Sequence, residues 1–317
     1  MTAHSPDLSR GQAATDGGPG ILSAIGYMLA AGCFFALMNV CVRLASESGL
    51  EVFQIVFFRN FFALLAMVPW LIATGFAGAH TRRLGAHARR ALLGMVAMFL
   101  WFSSVALLPL AEATALNFTF PLFGTILAAV ILKEQVRARR WTATAIGFFG
   151  VLIILQPWDA QVRWENFLPI AAAFFMAFAA ITVKQLSSTE SAGTVVFYMN
   201  LFMTPISLLP ALFVWQWPPW EAWGALVALG VFAAVSHVCL TRAYALAEAS
   251  FLQPLDYLRL PLMALLAYLI FGEVPSDWLW PGAGVIAGAT CYIARREAQL
   301  ARAGRLARAE PQPEQPA

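Results

Sequence analysis

Five apolar segments, each near the length of a membrane crossing, are followed by five more in the same order, and no other feature limits the fold as much. Leu110-Ala111-Glu112-Ala113-Thr114 in the first half returns as Leu246-Ala247-Glu248-Ala249-Ser250 in the second. A helix crosses a hydrocarbon core of roughly 30 Å with about 20 residues. An odd number of crossings per half then leaves the second half upside down relative to the first. Inverted repeats of this kind place paired devices at opposite faces of a membrane.

The expected spans are 21–42, 53–73, 91–109, 113–132, 141–156, 166–186, 193–214, 222–244, 250–271 and 279–294. They describe an all-α polytopic membrane protein, with ten transmembrane helices as two five-helix inverted repeats. The first repeat takes 21–157, an outer linker 158–165, and the second repeat 166–296. The tails, 1–20 and 297–317, are rich in Gly, Pro, Ala and Arg and read as disordered. The chain is 60% hydrophobic and only 12% charged, whereas soluble domains carry about 25% charged residues. A water-soluble globule of this size is excluded. The four cysteines (Cys33, Cys41, Cys239, Cys291) fall inside spans and read as buried free thiols.

Charge gives the expected orientation. With the N-terminus inside, 16 of the 20 Lys and Arg lie on the cytoplasmic side, including the 82–90 and 133–140 loops, Lys184 and the C-terminal tail. Only Arg43 and Arg163 fall outside, while Arg59 and Arg259 lie within spans. The bias predicts a multi-pass protein of a bacterial inner (plasma) membrane with both termini cytoplasmic. It also explains the net charge of +3 without a nucleic-acid surface.

The repeat extends beyond one motif. Val42-Arg43-Leu44-Ala45-Ser46 corresponds to Val183-Lys184-Gln185-Leu186-Ser187, and Phe57-Phe58-Arg59-Asn60 to Phe197-Tyr198-Met199-Asn200. Inversion puts Glu112 at the outer mouth and Glu248 at the inner one, as two alternating gates would need. The stretches Phe120-Pro121-Leu122-Phe123 through Lys133-Glu134 to Gly147-Phe148-Phe149-Gly150-Val151, and Pro254-Leu255-Asp256-Tyr257-Leu258-Arg259-Leu260 followed by Phe271-Gly272-Glu273-Val274-Pro275, carry a family resemblance. On these residues the chain resembles the drug/metabolite transporter superfamily, EamA type. Phe57-Phe58-Arg59 and the second stretch look most like the subgroup of bacterial S-adenosylmethionine uptake carriers. The resemblance implies a central cavity formed by helices 1, 3, 4, 6, 8 and 9, with helices 2 and 7 peripheral.

Asp256 and Arg259 are three residues apart and share a helix face. Arg259 lies roughly 13 Å into its span, too deep for easy contact with water. An ionisable side chain there faces a cavity or a partner. Arg259 would clamp a substrate carboxylate while Asp256 receives an amino group or proton; alternatively, the two form a structural pair. Pro254 and Pro261 bracket them in a broken helix. Tyr257 lies between them. Gln253 and Asn117 hold similar places after the two repeated motifs. His237 corresponds to Trp101; the first could take up a proton and the second stack on a flat group. Asn39 is a further polar candidate. Arg59 is assigned to an outer gate, bonding loop carbonyls or Glu112, with Glu248 at the inner gate. Gly284 and Gly288 in the last span favour close helix contact, within the protomer or in a homodimer.

No phosphate-binding loop, zinc-type His/Cys spacing or nucleophile elbow is present. No enzyme, metal or cofactor is therefore expected. The reading is a secondary transporter moving a small amphipathic or zwitterionic metabolite, such as an amino acid or S-adenosylmethionine-like compound, by alternating access with a possible coupling proton or ion. An exporter of a drug or metallophore-type metabolite is the alternative; a channel or an intramembrane enzyme fits the duplicated mouths less well.

Overall fold

The computed structural model describes residues 19–107, 116–155, 163–272, 277–278, 280–289, 291–292, 295–296 and 299. Among them every regular element is helical. Helix α1 (Pro19–Glu47) opens on proline, whose missing N–H costs nothing in a first turn, and stops before Gly49, which has φ +84°. Residues 19 and 20 thus belong to a helix and not to the tail; positions 1–18 and 300–317 lie outside the described residues. Helix α2 (Val52–Ala66) abuts α3 (Val68–Gly78) at Met67, just ahead of Pro69, which cannot continue the hydrogen-bond ladder.

Helices α4 (Leu84–Leu107), α5 (Phe120–Ile131) and α6 (Ala138–Leu155) complete the first half. The second half begins with a 3-10 turn (Trp164–Asn166) leading into α7 (Phe167–Leu186). Helix α8 (Ala192–Phe213) is capped by Ser191, whose Oγ accepts the Thr194 N–H at 3.1 Å. Helix α9 (Ala222–Leu246) follows. The next apolar segment is broken into α10 (Ala249–Leu252), a 3-10 segment (Gln253–Leu258) and α11 (Arg259–Phe271). Helix α12 covers 280–289.

Among the described residues, six helical stretches are long and apolar enough to cross a membrane: Gly20–Glu47, Val52–Gly75, Trp164–Leu186, Ala192–Phe213, Ala222–Leu246 and Ala249–Phe271. Two boundaries differ from the sequence expectation in a way that matters below. Helix α4 starts at Leu84, not at 91, and α6 starts at Ala138, not at 141, so Arg90 and Arg140 belong to helices. The polar character of each first turn hid the start of the helix.

The two halves interleave. The most extensive packing pairs α1 with α9, α4 with α7, α2 with α9, α2 with α8, and α5 with α7. Each joins the first half to the second. Exchanging corresponding segments of the halves turns α1–α9 into α7–α4, α2–α9 into α8–α4, and α5–α7 into α11–α1, all of which occur. Small residues make this closeness possible: Ala172, Ala173 and Ala177 on α7 are fully buried, and Gly230 on α9 lies where a Cβ would collide with Phe62 of α2. The surface carries many bare apolar side chains, among them Ile72, Val130, Leu209 and Phe213. Cys33 and Cys291 belong to that surface and only Cys41 is buried, which corrects the expectation of four buried thiols.

Candidate functional site

Between the halves lies a polar core whose first part is the broken segment 249–259. Pro254 has no N–H to give, and the chain answers with 3-10 geometry instead of a continuous α-helix. This turn buries Gln253, Asp256 and Tyr257. Glycines on the facing helices make room for them: a Cβ on Gly124 of α5 would collide with the Gln253 amide, and one on Gly147 of α6 would fall 2.5 Å from Tyr257 Cδ2. The Tyr257 ring also stacks on Phe118 with centroids 6.1 Å apart.

Asp256 and Arg259 form the expected ion pair, with Arg259 Nη2 3.2 Å from Asp256 Oδ2. The guanidinium also stands over Phe35 of α1, 5.6 Å from the ring centre. Gln253 Nε2 donates to the Tyr244 hydroxyl at 3.1 Å. Hydrogen-bonding capacity is left over: Gln253 Oε1, Tyr257 OH and Arg259 Nε are buried without a hydrogen bond, and Asp256 Oδ2 meets only the Arg259 guanidinium. Such atoms cost about 1–3 kcal/mol each unless something pairs with them. Three such atoms lie within seven residues, beside a carboxylate whose partner is Arg259.

The second part centres on Arg59 of α2, whose described partners differ from the expected loop carbonyls. Arg59 is 7% exposed, and its described hydrogen bonds go neither to a loop carbonyl nor to Glu112. Its Nη1 donates to Asn60 Oδ1 and its Nη2 meets His237 Nε2 of α9, each at 2.7 Å. The reason is the packing of α2 against α9, which turns the side chain into the bundle. A guanidinium can only donate, so His237 Nε2 accepts and the ring's proton sits on Nδ1. Asn60 Nδ2 in turn donates to Ser207 of α8 at 3.2 Å, and His237 packs edge-on against Phe35 with centroids 5.1 Å apart. Phe35 thus touches both parts of the core.

The third part closes one end of the bundle. The Glu134 carboxylate accepts the N–H groups of Ala249 and Ser250, each at 3.0 Å, capping the short helix α10. Arg140 Nη1 pairs with Glu248 and donates to Ser250 Oγ at 2.8 Å. Lys184 Nζ donates to the carbonyls of Tyr244 and Ala247, at 2.7 and 2.6 Å, where α9 ends. Glu248 therefore sits in a latch made by α6, α7 and the α9–α10 junction.

Other candidates stand apart. Asn117 donates to Pro169 O at 3.3 Å, tying its segment to α7, not facing Gln253. Asn39 donates to Phe35 O in its own helix at 2.9 Å. Trp101 is half buried, and among the described residues its ring stacks on no other aromatic. Glu112 lies outside the described residues. Gly284 and Gly288 have open space where a Cβ would go, so neither is a close contact within the protomer. Sequence reasoning missed Arg90, Arg140, Lys184 and Tyr244 as members of the core. Three of them were counted as cytoplasmic basic residues, and the tyrosine carried no signal of its own.

Comparison with known proteins agrees with this picture. A model of the EamA-like transporter family matches the chain twice, over residues 22–156 and 163–295. A riboflavin transporter of Vibrio cholerae is 38% identical over 280 residues, spanning 87% of this chain and 94% of that protein. An S-adenosylmethionine uptake transporter of Rickettsia prowazekii is 32% identical over 244 residues, 77% of this chain and 83% of the other. A solved crystal structure superposes with a TM-score of 0.73 at 19% identity, covering 88% of this chain and 99% of that one, a likeness of fold alone.

Proposed function

This chain belongs to the EamA-like transporter family, and on that premise we propose that it carries riboflavin across a bacterial inner membrane by alternating access. It is a multi-pass membrane transporter and not an enzyme. The reading includes ten helices in two five-helix inverted repeats, which the exchange-paired packing of the halves supports. The core of Gln253, Asp256, Tyr257, Arg259, Arg59 and His237 would be the cargo site, and the Glu134–Arg140–Glu248–Lys184 latch one of its gates.

The observation that carries the substrate is the set of three unpaired buried polar atoms, Gln253 Oε1, Tyr257 OH and Arg259 Nε, beside the Asp256 carboxylate. Riboflavin is flat, neutral and rich in hydrogen-bonding groups, with an imide edge that alternates acceptor, donor and acceptor. Gln253 Oε1 and Asp256 Oδ2 would take its N–H, while Tyr257 OH and Arg259 Nε would supply donors to its carbonyls. The riboflavin transporter of Vibrio cholerae, alike over nearly its whole length, adds to this reading. A zwitterionic S-adenosylmethionine-like cargo is the second reading, favoured by the Asp256 carboxylate, which suits a sulfonium or amino group.

The test is counterflow in liposomes holding the purified protein. Liposomes preloaded with riboflavin should accumulate labelled external riboflavin with saturation, and Asp256→Ala should lower the rate at least tenfold while inserting normally. Counterflow of S-adenosylmethionine alone would move the assignment to the second reading. Counterflow of neither would reject both.

A further inference from the structure

Arg90 is where a membrane-facing arginine should not be. It stands within α4, six residues after its first residue Leu84, and is 6% exposed. Side chains on a helix lean toward its N-terminus, so an arginine near that end would ordinarily stretch back toward water. Arg90 runs the other way. Its Nη1 lies over Gly94, 2.6 Å from where a Cβ would stand, so that only glycine leaves the head room. Met203 of α8 flanks the same spot, with its Cε 3.7 Å from that position. One turn further along α8, Ser207 holds Asn60 and through it Arg59. Arg90 thus lies against the same stretch of α8 that holds Asn60 and Arg59, and its charge bears on both Arg59 and His237.

Nothing described neutralises this cluster. The ion pairs between described residues include Arg43–Glu47, Arg140–Glu248 and Arg259–Asp256, and none of these three reaches Arg59 or Arg90. Arg90 Nε is buried without a hydrogen bond. Arg59 spends its donors on a neutral amide and a neutral imidazole. Two buried guanidinium groups that feel one another's charge repel, and such an arrangement is costly unless a negative charge joins it.

We propose that Arg59, Arg90 and His237 form a binding site for an anion, separate from the Asp256–Arg259 pair, which is already neutral within itself. The guanidinium N–H groups donate to the anion, and the Nδ1–H of His237 is free to turn toward it if Arg59 swings to the guest. The anion has two sources. It is either an acidic group on the cargo or a small inorganic anion that joins a neutral cargo. The first would extend the flavin reading to riboflavin 5′-phosphate. The second would make transport of riboflavin depend on the anion. The proposal rests on the transport reading for its placement along the cargo route, but anion binding is measurable with no cargo present.

The experiment is thermal unfolding of the purified full-length protein in detergent, with sodium gluconate as the baseline salt and chloride or inorganic phosphate titrated in at constant ionic strength. Ligands that bind the native state raise its stability. The expected result is a saturable rise in Tm with at least one of these anions, weakened roughly 10-fold to 100-fold in apparent affinity by Arg90→Gln and restored in large part by Arg90→Lys. A Tm in the wild type that ignores both anions, or a rise in Arg90→Gln equal to that of the wild type, overturns the proposal. The source is then read by adding cargo. Competition between riboflavin 5′-phosphate and the small anion assigns the site to an acidic cargo group. Mutual enhancement of riboflavin and anion affinity assigns it to a co-bound ion, since linkage is reciprocal. Should riboflavin counterflow fail while the anion effect holds, only the flavin assignment falls.

Discussion

Lys184 and Arg43 hold matching places at the ends of corresponding segments, yet their surroundings differ. Lys184 is drawn across the boundary between the halves, where its ammonium ties down two carbonyls at the end of α9 beside the Glu134 cap and the Arg140–Glu248 pair. Arg43 is half exposed, meets Glu47 one turn along its own helix at 3.1 Å, and rests on the Phe271 ring at 4.3 Å. Next to it lies a cleft of about 530 Å³ lined by residues including Cys41, Leu44, Glu47, Glu221 and Ala228. Among the described residues, the latch ties one end of the bundle and the cleft lies at the other. A duplicated sequence thus supports different contacts at matching positions. By hypothesis, the opposite conformation would place Arg43 where Lys184 now stands.

The comparison breaks first at Glu134. Glu134→Ala leaves the N–H groups of Ala249 and Ser250 without their carboxylate, and each hydrogen bond to a charged group contributes about 1.5–3 kcal/mol. The expected loss is roughly 3 kcal/mol, read as a fall of several degrees in Tm and as faster labelling of a cysteine placed at Ser250. Labelling no faster than in the parent would show that this end is not held by the latch.

Lys184→Met comes next. Methionine keeps the aliphatic stem but frees the carbonyls of Tyr244 and Ala247, with an expected cost of about 2 kcal/mol. Because α9 also carries Tyr244, the hydrogen bond from Gln253 should loosen with it, and cargo affinity should fall along with stability. A stability change with unchanged affinity would separate the latch from the site. Glu248→Gln is expected to cost less than about 1 kcal/mol, since Glu248 is 40% exposed and its pairing with Arg140 is screened. Raising salt should shrink that difference further, as measured by Tm of variant against parent.

These unequal ends show what the sequence could reveal. The duplicated motif, the broken segment at Pro254 and the Asp256–Arg259 pairing were legible because each depends on neighbours in the chain: a repeat, a missing N–H, a three-residue spacing. Arg59 was legible as a buried charge but not in its partner. Residue 59 meets residue 237 only through the packing of α2 on α9, and no local pattern encodes that. Arg90 and Arg140 were hidden for a different reason. A count of basic residues near helix ends gives orientation, but it cannot tell an arginine that reaches for water from one that bends over Gly94 or pairs with Glu248. Gly124 and Gly147 were equally silent, because their role is to leave space for side chains over a hundred residues away.

Arg43→Ala is expected to have a modest effect on stability and the most informative one on function. The exposed pair with Glu47 contributes about 0.3–0.5 kcal/mol, and the contact with Phe271 about 0.5–1 kcal/mol. The Tm should therefore move less than with Lys184→Met. In the conformation that closes the cleft, however, the same guanidinium would gain buried carbonyl partners, and its loss would slow the cycle. Equilibrium cargo binding should stay within about twofold while the counterflow rate falls at least fivefold. Charge retention should rescue it, so Arg43→Lys is expected to run near the parent rate. Equal losses in binding and in rate would mean that Arg43 serves the structure seen here and not its mirror, and the two ends would then differ permanently and not by turns.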